Sequence, residues 1–330
     1  MSGPTRRKIL VAVFTACVAL VITFFLLRMM PGDIVHMIAL ELQQAQGVPY
    51  NEAYELAKAQ LNYDPDAPVL MQFVKYLAGL AQGNMGVSIV YKMPVGRIIL
   101  KSLPWTLFVC SLALLGSFTA GTLLGMIAAR KRGSALDHAI TLYATFTQAI
   151  PDFLIALLLL VVFSVKLRWF PIVGAYSSDT APGFNPAFLI DALYHAVLPV
   201  SAFTLQCMGA WALQARAAAT STLNEDYVTV AKAKGLKERT ITLHYVGRNA
   251  MLPLVTGLAI SFGAMLGGSM FIEGIFNYPG IGFYVGQAIG NRDFMLIQGI
   301  FLMTTFAMIF AVLMSEFLYS LLDPRIKAGK

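Results

Sequence analysis

Residues 104–129 read PWTLFVCSLALLGSFTAGTLLGMIAA, and Arg130-Lys131-Arg132 follow at once. No charged side chain interrupts the run. A helix rises 1.5 Å per residue, so this stretch reaches about 39 Å, more than the ~30 Å of a bilayer's hydrocarbon core. A soluble helix keeps a polar face, and this one has none. The basic triplet at its end is what the cytoplasmic flank of a membrane span carries. The stretch therefore predicts an all-α integral membrane protein.

Five more runs of the same kind lie outward from it. They are Ile9–Leu27, Ala139–Phe163, Ala192–Leu213, Met251–Ile272 and Phe294–Leu321. Together they predict six transmembrane helices. Of 330 residues, 58% are hydrophobic and 12% charged, with mean hydropathy +0.69. A soluble domain carries about twice that charged share, so the apolar excess faces lipid. The first run follows Arg6-Arg7-Lys8, as a signal peptide would. It is longer than a signal core and no small-residue cleavage site follows, so it reads as an uncleaved span.

With the N-terminus in the cytoplasm, 15 of the 24 basic residues fall in cytoplasmic segments. Inverting the chain would put the basic loops outside, against the positive-inside rule. This placement accounts for the net charge of +7 without a nucleic-acid partner, and no aromatic–basic interleaving appears. The expected organisation is a cytoplasmic N-terminus and first span (1–30), an extracytoplasmic insert (31–103), and a core of spans two to six (104–323). A cytoplasmic loop (214–250) interrupts the core, and a cytoplasmic tail (324–330) ends the chain. Within the insert, Asn51–Gln60 and Pro68–Leu80 have helical periodicity, the second with Leu70, Phe73, Val74 and Leu77 on one face. Gly121-x-x-x-Gly125 and Gly263-x-x-x-Gly267 let helices approach closely, within the chain or against a partner. Cys17, Cys110 and Cys207 lie in apolar runs without metal-ligand spacing.

The cytoplasmic loop is the most informative stretch: Asn224 to Pro253 reads NEDYVTVAKAKGLKERTITLHYVGRNAMLP. Asn224 is the expected N-cap of a short helix, with Glu225 and Asp226 in its first turn and Gly235 as its stop. Tyr227, Val230, Ala231 and Lys234 share a face at helical spacing. A second short helix is expected over Glu238–Val246, and Pro253 marks entry to the next span. Two short helices joined at a glycine suit a docking element for a cytoplasmic protein. The plainer alternative is a helix lying on the membrane surface.

Asp226-Tyr-Val…Ala231-Lys-Ala233-Lys234-Gly235, with Arg248-Asn249-Ala-Met-Leu-Pro253 downstream, resembles the "EAA" coupling loop of binding-protein-dependent permeases. The version is that of the dipeptide/oligopeptide/nickel family. Met30-Pro-Gly-Asp33, Gly83-Asn-Met-Gly-Val-Ser88, Gly267-Gly-Ser-Met-Phe-Ile-Glu273, Tyr278-Pro-Gly-Ile-Gly282, Arg292-Asp-Phe and Leu322-Asp-Pro-Arg325 extend the resemblance, in order, over nearly the whole chain. The glutamate and first alanine of the general pattern are Thr229 and Val230 here, and Asp152 after Pro151 also departs from it.

The resemblance implies the type I ABC importer permease fold and a bacterial inner-membrane location, with both termini cytoplasmic. It implies a second, homologous permease chain, two cytoplasmic ATPases docked on the loop, and an extracytoplasmic substrate-binding protein. No glycine-rich loop ending in Gly-Lys-Ser/Thr is present, so ATP hydrolysis would belong to separate subunits. Peptides are the commonest cargo implied; oligosaccharides, nickel chelates and glutathione share the architecture. The competing classes are an ion-gradient-driven transporter, which usually shows internal repeats, and an intramembrane enzyme, whose motifs are missing. Two acids at membrane depth, Asp152 and Glu273, are expected on the translocation path or in interhelical contacts.

Overall fold

The computed structural model describes residues 3–29, 34–61, 67–237, 240–268 and 270–322. The motif Met30–Asp33, the expected start of a second loop helix at Glu238, and the tail 324–330 lie outside the described residues. Among the described residues every regular element is helical, apart from one isolated bridge between Val87 and Pro94. The helices are α1 (Gly3–Met29), α2 (Ile34–Gln46), α3 (Tyr50–Leu61), α4 (Val69–Ala81), α5 (Val95–Arg130), α6 (Ala135–Ala149) and α7 (Asp152–Leu159). They continue as α8 (Pro186–Leu223), α9 (Asp226–Ala233), α10 (Arg248–Met265), α11 (Met270–Ile275), α12 (Ile281–Gly290) and α13 (Phe294–Leu322).

Three of these are long and apolar enough to cross a bilayer: Val95–Arg130, Pro186–Leu223 and Phe294–Ser315. α6 and α7 are apolar enough together and meet at an angle of 100°, as a broken span or a re-entrant loop would. The expected span Ala139–Phe163 is thus broken at Ile150–Pro151. Proline has no N–H to give to the helix ladder and pushes the preceding residue out of helical dihedrals; Ile150 sits at φ −90° and ψ 129°. Beyond α7 the chain widens into a π-helical turn over Leu160–Lys166. The apolar part of α1, Leu10–Leu26, is a shorter apolar helix. The expected fifth span is helical only to Met265, where a turn at Leu266–Gly267 precedes α11.

The chain divides into two compact units. The first comprises residues 1–103 and 284–306. Here α2, which periodicity reading overlooked, packs on α3 and buries Val35, Ile38 and Ala39. Asp293 is fully buried at the start of α13 and caps it, accepting the Leu296 N–H at 3.1 Å. Its other oxygen accepts from Ser88 Oγ at 2.5 Å and from the Val90 N–H at 3.2 Å. The Gly83–Ser88 and Arg292-Asp-Phe motifs, some two hundred residues apart, are therefore one hydrogen-bonded structure.

The second unit comprises residues 104–283 and 307–330. Within it α5 and α8 approach closely. A Cβ added at Gly121 would fall 2.6 Å from Cβ of Trp211, and one at Gly125 would fall 2.7 Å from Cβ of Ala215. Both are well inside van der Waals contact, so these glycines allow the two backbones to meet. Gly263 likewise faces Ala311 of α13. The small-residue pairs thus serve packing within the chain. A second cluster joins Val109, Cys110 and Ala113 of α5 to Ala156, Ala202, Ile272 and Tyr278.

Candidate functional site

The loop after α8 begins where Asn224 closes that helix; its N–H reaches Ser221 O at 3.2 Å, and the Glu225 N–H reaches Thr222 O at 3.2 Å. Asn224 is thus a C-terminal residue of α8. The N-cap of α9 is Glu225, which makes no side-chain capping bond. Asp226 in the first turn complements the helix dipole. The stop is Gly235, at φ +70° with open space around its α-carbon, so backbone conformation alone demands glycine there.

α9 rests on a seat of small residues. Val228 and Ala231 are 0% and 2% exposed and pack with Ala129 of α5, Ala219 of α8, and Ile241, Val246 and Ala250 beyond the loop. Tyr227 and Val230, by contrast, are 37% and 51% exposed. Ala233 and Lys234 are exposed as well. The face expected to hold Tyr227, Val230, Ala231 and Lys234 together is therefore split. Ala231 points into the seat, and Tyr227, Val230, Ala233 and Lys234 lie outside it. Helical spacing cannot tell which side of an eight-residue helix meets the core, because the core here comes from α5 and α8.

Asn249 ties the loop together. Its Nδ2 donates to Tyr227 Oη at 2.7 Å and to Tyr245 O at 3.1 Å. The expected separate second helix is instead a π-helical turn, Ile241–Gly247, running directly into α10. Pro253 lies inside α10 rather than at its entry. Its missing N–H leaves the Asn249 carbonyl without a helical donor.

Sequence reading missed a brace beside this seat. Arg216 of α8 grips Asp137 of α6 with a two-pronged contact, Nε to Oδ1 at 2.6 Å and Nη2 to Oδ2 at 3.0 Å. Asp137 also accepts the Gly133 N–H at 2.9 Å, while Ser134 caps the helix by accepting the Asp137 N–H at 3.3 Å. The signal was present: Ser134 three residues before Asp137, and a single arginine in an otherwise apolar run.

The two acids fare differently. Asp152 stands at the 100° break, half-buried, with Oδ1 accepting the Phe153 N–H at 2.8 Å. It begins α7 rather than sitting mid-helix. Gln206 Nε2 of α8 reaches Ile150 O across the same break, at 3.5 Å. Glu273 is fully buried. One of its oxygens accepts from Thr106 Oγ1 at 3.0 Å, and the other from the N–H groups of Gly282 at 2.7 Å and Phe283 at 3.2 Å. Thr106 Oγ1 in turn accepts the Ile281 N–H at 2.7 Å. Glu273 thereby fixes the Tyr278–Gly282 turn against α5.

The family model described as "Binding-protein-dependent transport system inner membrane component" matches residues 121–328, which take in α8, α9 and α10. The chain is 32% identical over 319 residues to the di/tripeptide transport system permease protein DppB of Pseudomonas aeruginosa, covering 93% of each. It is 30% identical over 309 residues to the oligopeptide transport system permease protein AppB of Bacillus subtilis, again covering 93% of each. Over 321 residues it is 31% identical to the glutathione transport system permease protein GsiC of Escherichia coli, covering 97% of each. Among solved structures, a chain of the MetNI methionine ABC transporter in an inward-facing conformation aligns with TM-score 0.53 and 13% identity, covering 69% of this chain and 97% of that one. That likeness concerns the fold.

Proposed function

The chain belongs to the family of binding-protein-dependent transport system inner membrane components, and from that membership we propose that it forms half of the translocation pathway of an ATP-driven importer. A second permease chain completes the pathway, two cytoplasmic ATPases drive it, and an extracytoplasmic binding protein delivers the solute. The cargo class is peptides or a related small solute such as glutathione, in keeping with the names of its relatives. The observation that carries the reading is α9: a short helix seated on the α5–α8 crossing, with Tyr227 and Val230 left open for a partner.

In this reading six spans cross the membrane, with both termini inside and residues 31–103 outside. The bent pair α6–α7 is then one broken span. A re-entrant hairpin would return the chain to the side of Arg130–Arg132 and carry Arg216, Lys232, Lys234, Lys237 and Arg248 to the opposite side, against the positive-inside rule. Force applied at α9 passes to α8 and α5 through Ala219 and Ala129, and Arg216 recruits α6. The moving parts are packed helices, as in other rigid-body switches.

One preparation tests both the assembly and the topology. Right-side-out vesicles carrying the tagged chain with Gln46→Cys are treated with an impermeant thiol reagent, then solubilised and purified. The expected result is labelling from outside and copurification of two ATPases with a second permease chain. Recovery of the chain alone, active in uptake driven by an ion gradient, would favour a secondary transporter.

Asp152 is the residue we assign to the path. A carboxylate at a helix break, beside the freed carbonyl end of α6, favours a cationic or hydroxyl-bearing group of the solute. Asp152→Asn keeps the shape and removes the charge. Uptake of cationic cargo should fall about tenfold, a loss of about 1.4 kcal/mol, while neutral cargo is spared. Equal losses for both cargoes, or none, would remove Asp152 from the path.

A further inference from the structure

Within the segment read as extracytoplasmic, α4 has a composition unlike that of its neighbours. Its sequence, VLMQFVKYLAGLA, contains one lysine and no acid. By contrast α3 carries Glu52, Glu55 and Lys58. One side of α4 is anchored. Phe73 and Tyr76 pack their rings on Phe24 of α1, at centroid distances of 5.0 and 5.6 Å. Gln72 is buried, and its Nε2 donates to Ala67 O at 2.9 Å. The other side is open and apolar: Leu70 is 71% exposed, Val74 57% and Leu77 38%. These three positions, spaced four and three residues apart, form one stripe. The face that periodicity assigned to a folded insert is largely unburied within the chain.

The anchor fixes the depth of that stripe. Phe24 lies inside the apolar segment Leu10–Leu26, about 3 Å from its end at 1.5 Å per residue. Tyr76 goes further and closes a narrow crevice with Ala19, Leu20 and Thr23 of α1 and Leu302 of α13. Leu20 is about 9 Å inside the apolar segment by the same measure. Helix α4 is therefore held alongside α1, the first span of the reading proposed above, at the level of its apolar residues. At thirteen residues, or about 20 Å, it is too short to cross the bilayer. Its open stripe continues the exposed apolar surface of α1 at Ile22, Phe25 and Leu26; the Phe25 and Phe73 rings are 6.1 Å apart. Lys75, the one charge, has a side chain long enough to reach the headgroups.

We propose that α4 is an interfacial helix whose Leu70–Val74–Leu77 stripe is buried in the acyl chains of one leaflet, so that the segment between the first two spans is fastened to the membrane rather than projecting wholly into water. The depth rests on α1 being the first span of the reading proposed above, and naming the outer leaflet rests on the orientation proposed with it.

The test is nitroxide EPR on the intact importer in lipid nanodiscs, with Cys17, Cys110 and Cys207 replaced by alanine. Single labels go at Leu70 and Val74 of α4, at Ile22 of α1 as a lipid-facing reference, and at Gln46 of α2 as an aqueous one. Oxygen partitions into acyl chains, and a water-soluble nickel chelate does not. The labels at Leu70 and Val74 should follow Ile22, with an oxygen-to-nickel accessibility ratio several-fold above that at Gln46. An aqueous pattern at both sites, or shielding from both reagents as under a second permease chain, would overturn the proposal. If an impermeant reagent reaches Gln46→Cys only from the cytoplasmic side, the topology fails while the depth measurement stands, so the two failures are distinguishable.

Discussion

Gly280→Ala is expected to abolish a stably folded permease, whereas the same substitution six residues earlier, Gly274→Ala, leaves it intact. A Cβ at Gly280 would fall 2.5 Å from Thr106 Oγ1 and 2.6 Å from the carboxyl carbon of Glu273. Neither neighbour is the free end of a flexible chain. Both are held in the buried hydrogen-bonded cluster with Ile281, Gly282 and Phe283. Making room means pulling the Glu273 carboxylate off at least one donor inside the protein. Overpacking of this kind costs about 1–3 kcal/mol, and unmade bonds to a buried charge add a similar amount or more. A Cβ at Gly274 meets nothing within 4 Å and sits in helix α11, where alanine is the better helix former. Thermal unfolding of the two purified variants checks this, with Gly280→Ala aggregated or strongly lowered in Tm and Gly274→Ala at or above the parent. Equal melting points would show that the Glu273 cluster does not hold the turn.

The second large effect is expected in α9, the docking helix of the proposed reading, where Ala231→Glu and Val230→Glu should fail in different ways. Ala231 is enclosed by Val228, Ala219 and Ala129. A carboxylate placed there has no partner and lifts α9 from its seat at a cost of several kcal/mol. Val230 is half exposed, so a carboxylate there leaves α9 seated and alters only the surface a partner meets. Both variants should lower solute imported per ATP hydrolysed by about tenfold or more, and both should still insert in the membrane. Only Ala231→Glu should make the loop sensitive to limited proteolysis. Full coupling in Val230→Glu would move the docking surface away from the outer face of α9.

Much of this was legible in the sequence because hydropathy and charge are local properties. Residues 104–129 had to be a helix in lipid, and Asn51–Gln60 and Pro68–Leu80 appear as α3 and α4 within a residue or so of their expected bounds. The position of the α6–α7 break was visible in Pro151, but its 100° angle was not. A proline frees the backbone to bend, and only the neighbouring helices decide how far. The orientation of α9 was hidden for a related reason: Val228 and Ala231 face inward because Ala129 and Ala219 come from helices distant in sequence. Side-chain partnerships between distant segments left the least trace. Nothing near Ser88 announces Asp293, and Arg216 reads as one more cytoplasmic charge until Asp137 is found beside it. Glu273 was expected on the path or in interhelical contacts, and its hydrogen bonds come from Thr106 and the Tyr278–Gly282 turn.

Helix α8, Pro186–Leu223, has 38 residues with Pro199 among them, which at 1.5 Å each is about 57 Å of helix against a hydrocarbon layer of about 30 Å. Roughly 27 Å of it must be accommodated by tilt or stand clear of the acyl chains. Its first residues already show this surplus. Asp191 accepts from the backbone N–H of Ser177 at 2.6 Å and from its hydroxyl at 2.9 Å, a polar grouping that belongs among headgroups or water. The Ala215–Ala219 end, where α9 is seated, is the opposite one. A thicker or thinner bilayer changes the tilt of α8, and the tilt carries the α9 seat with it.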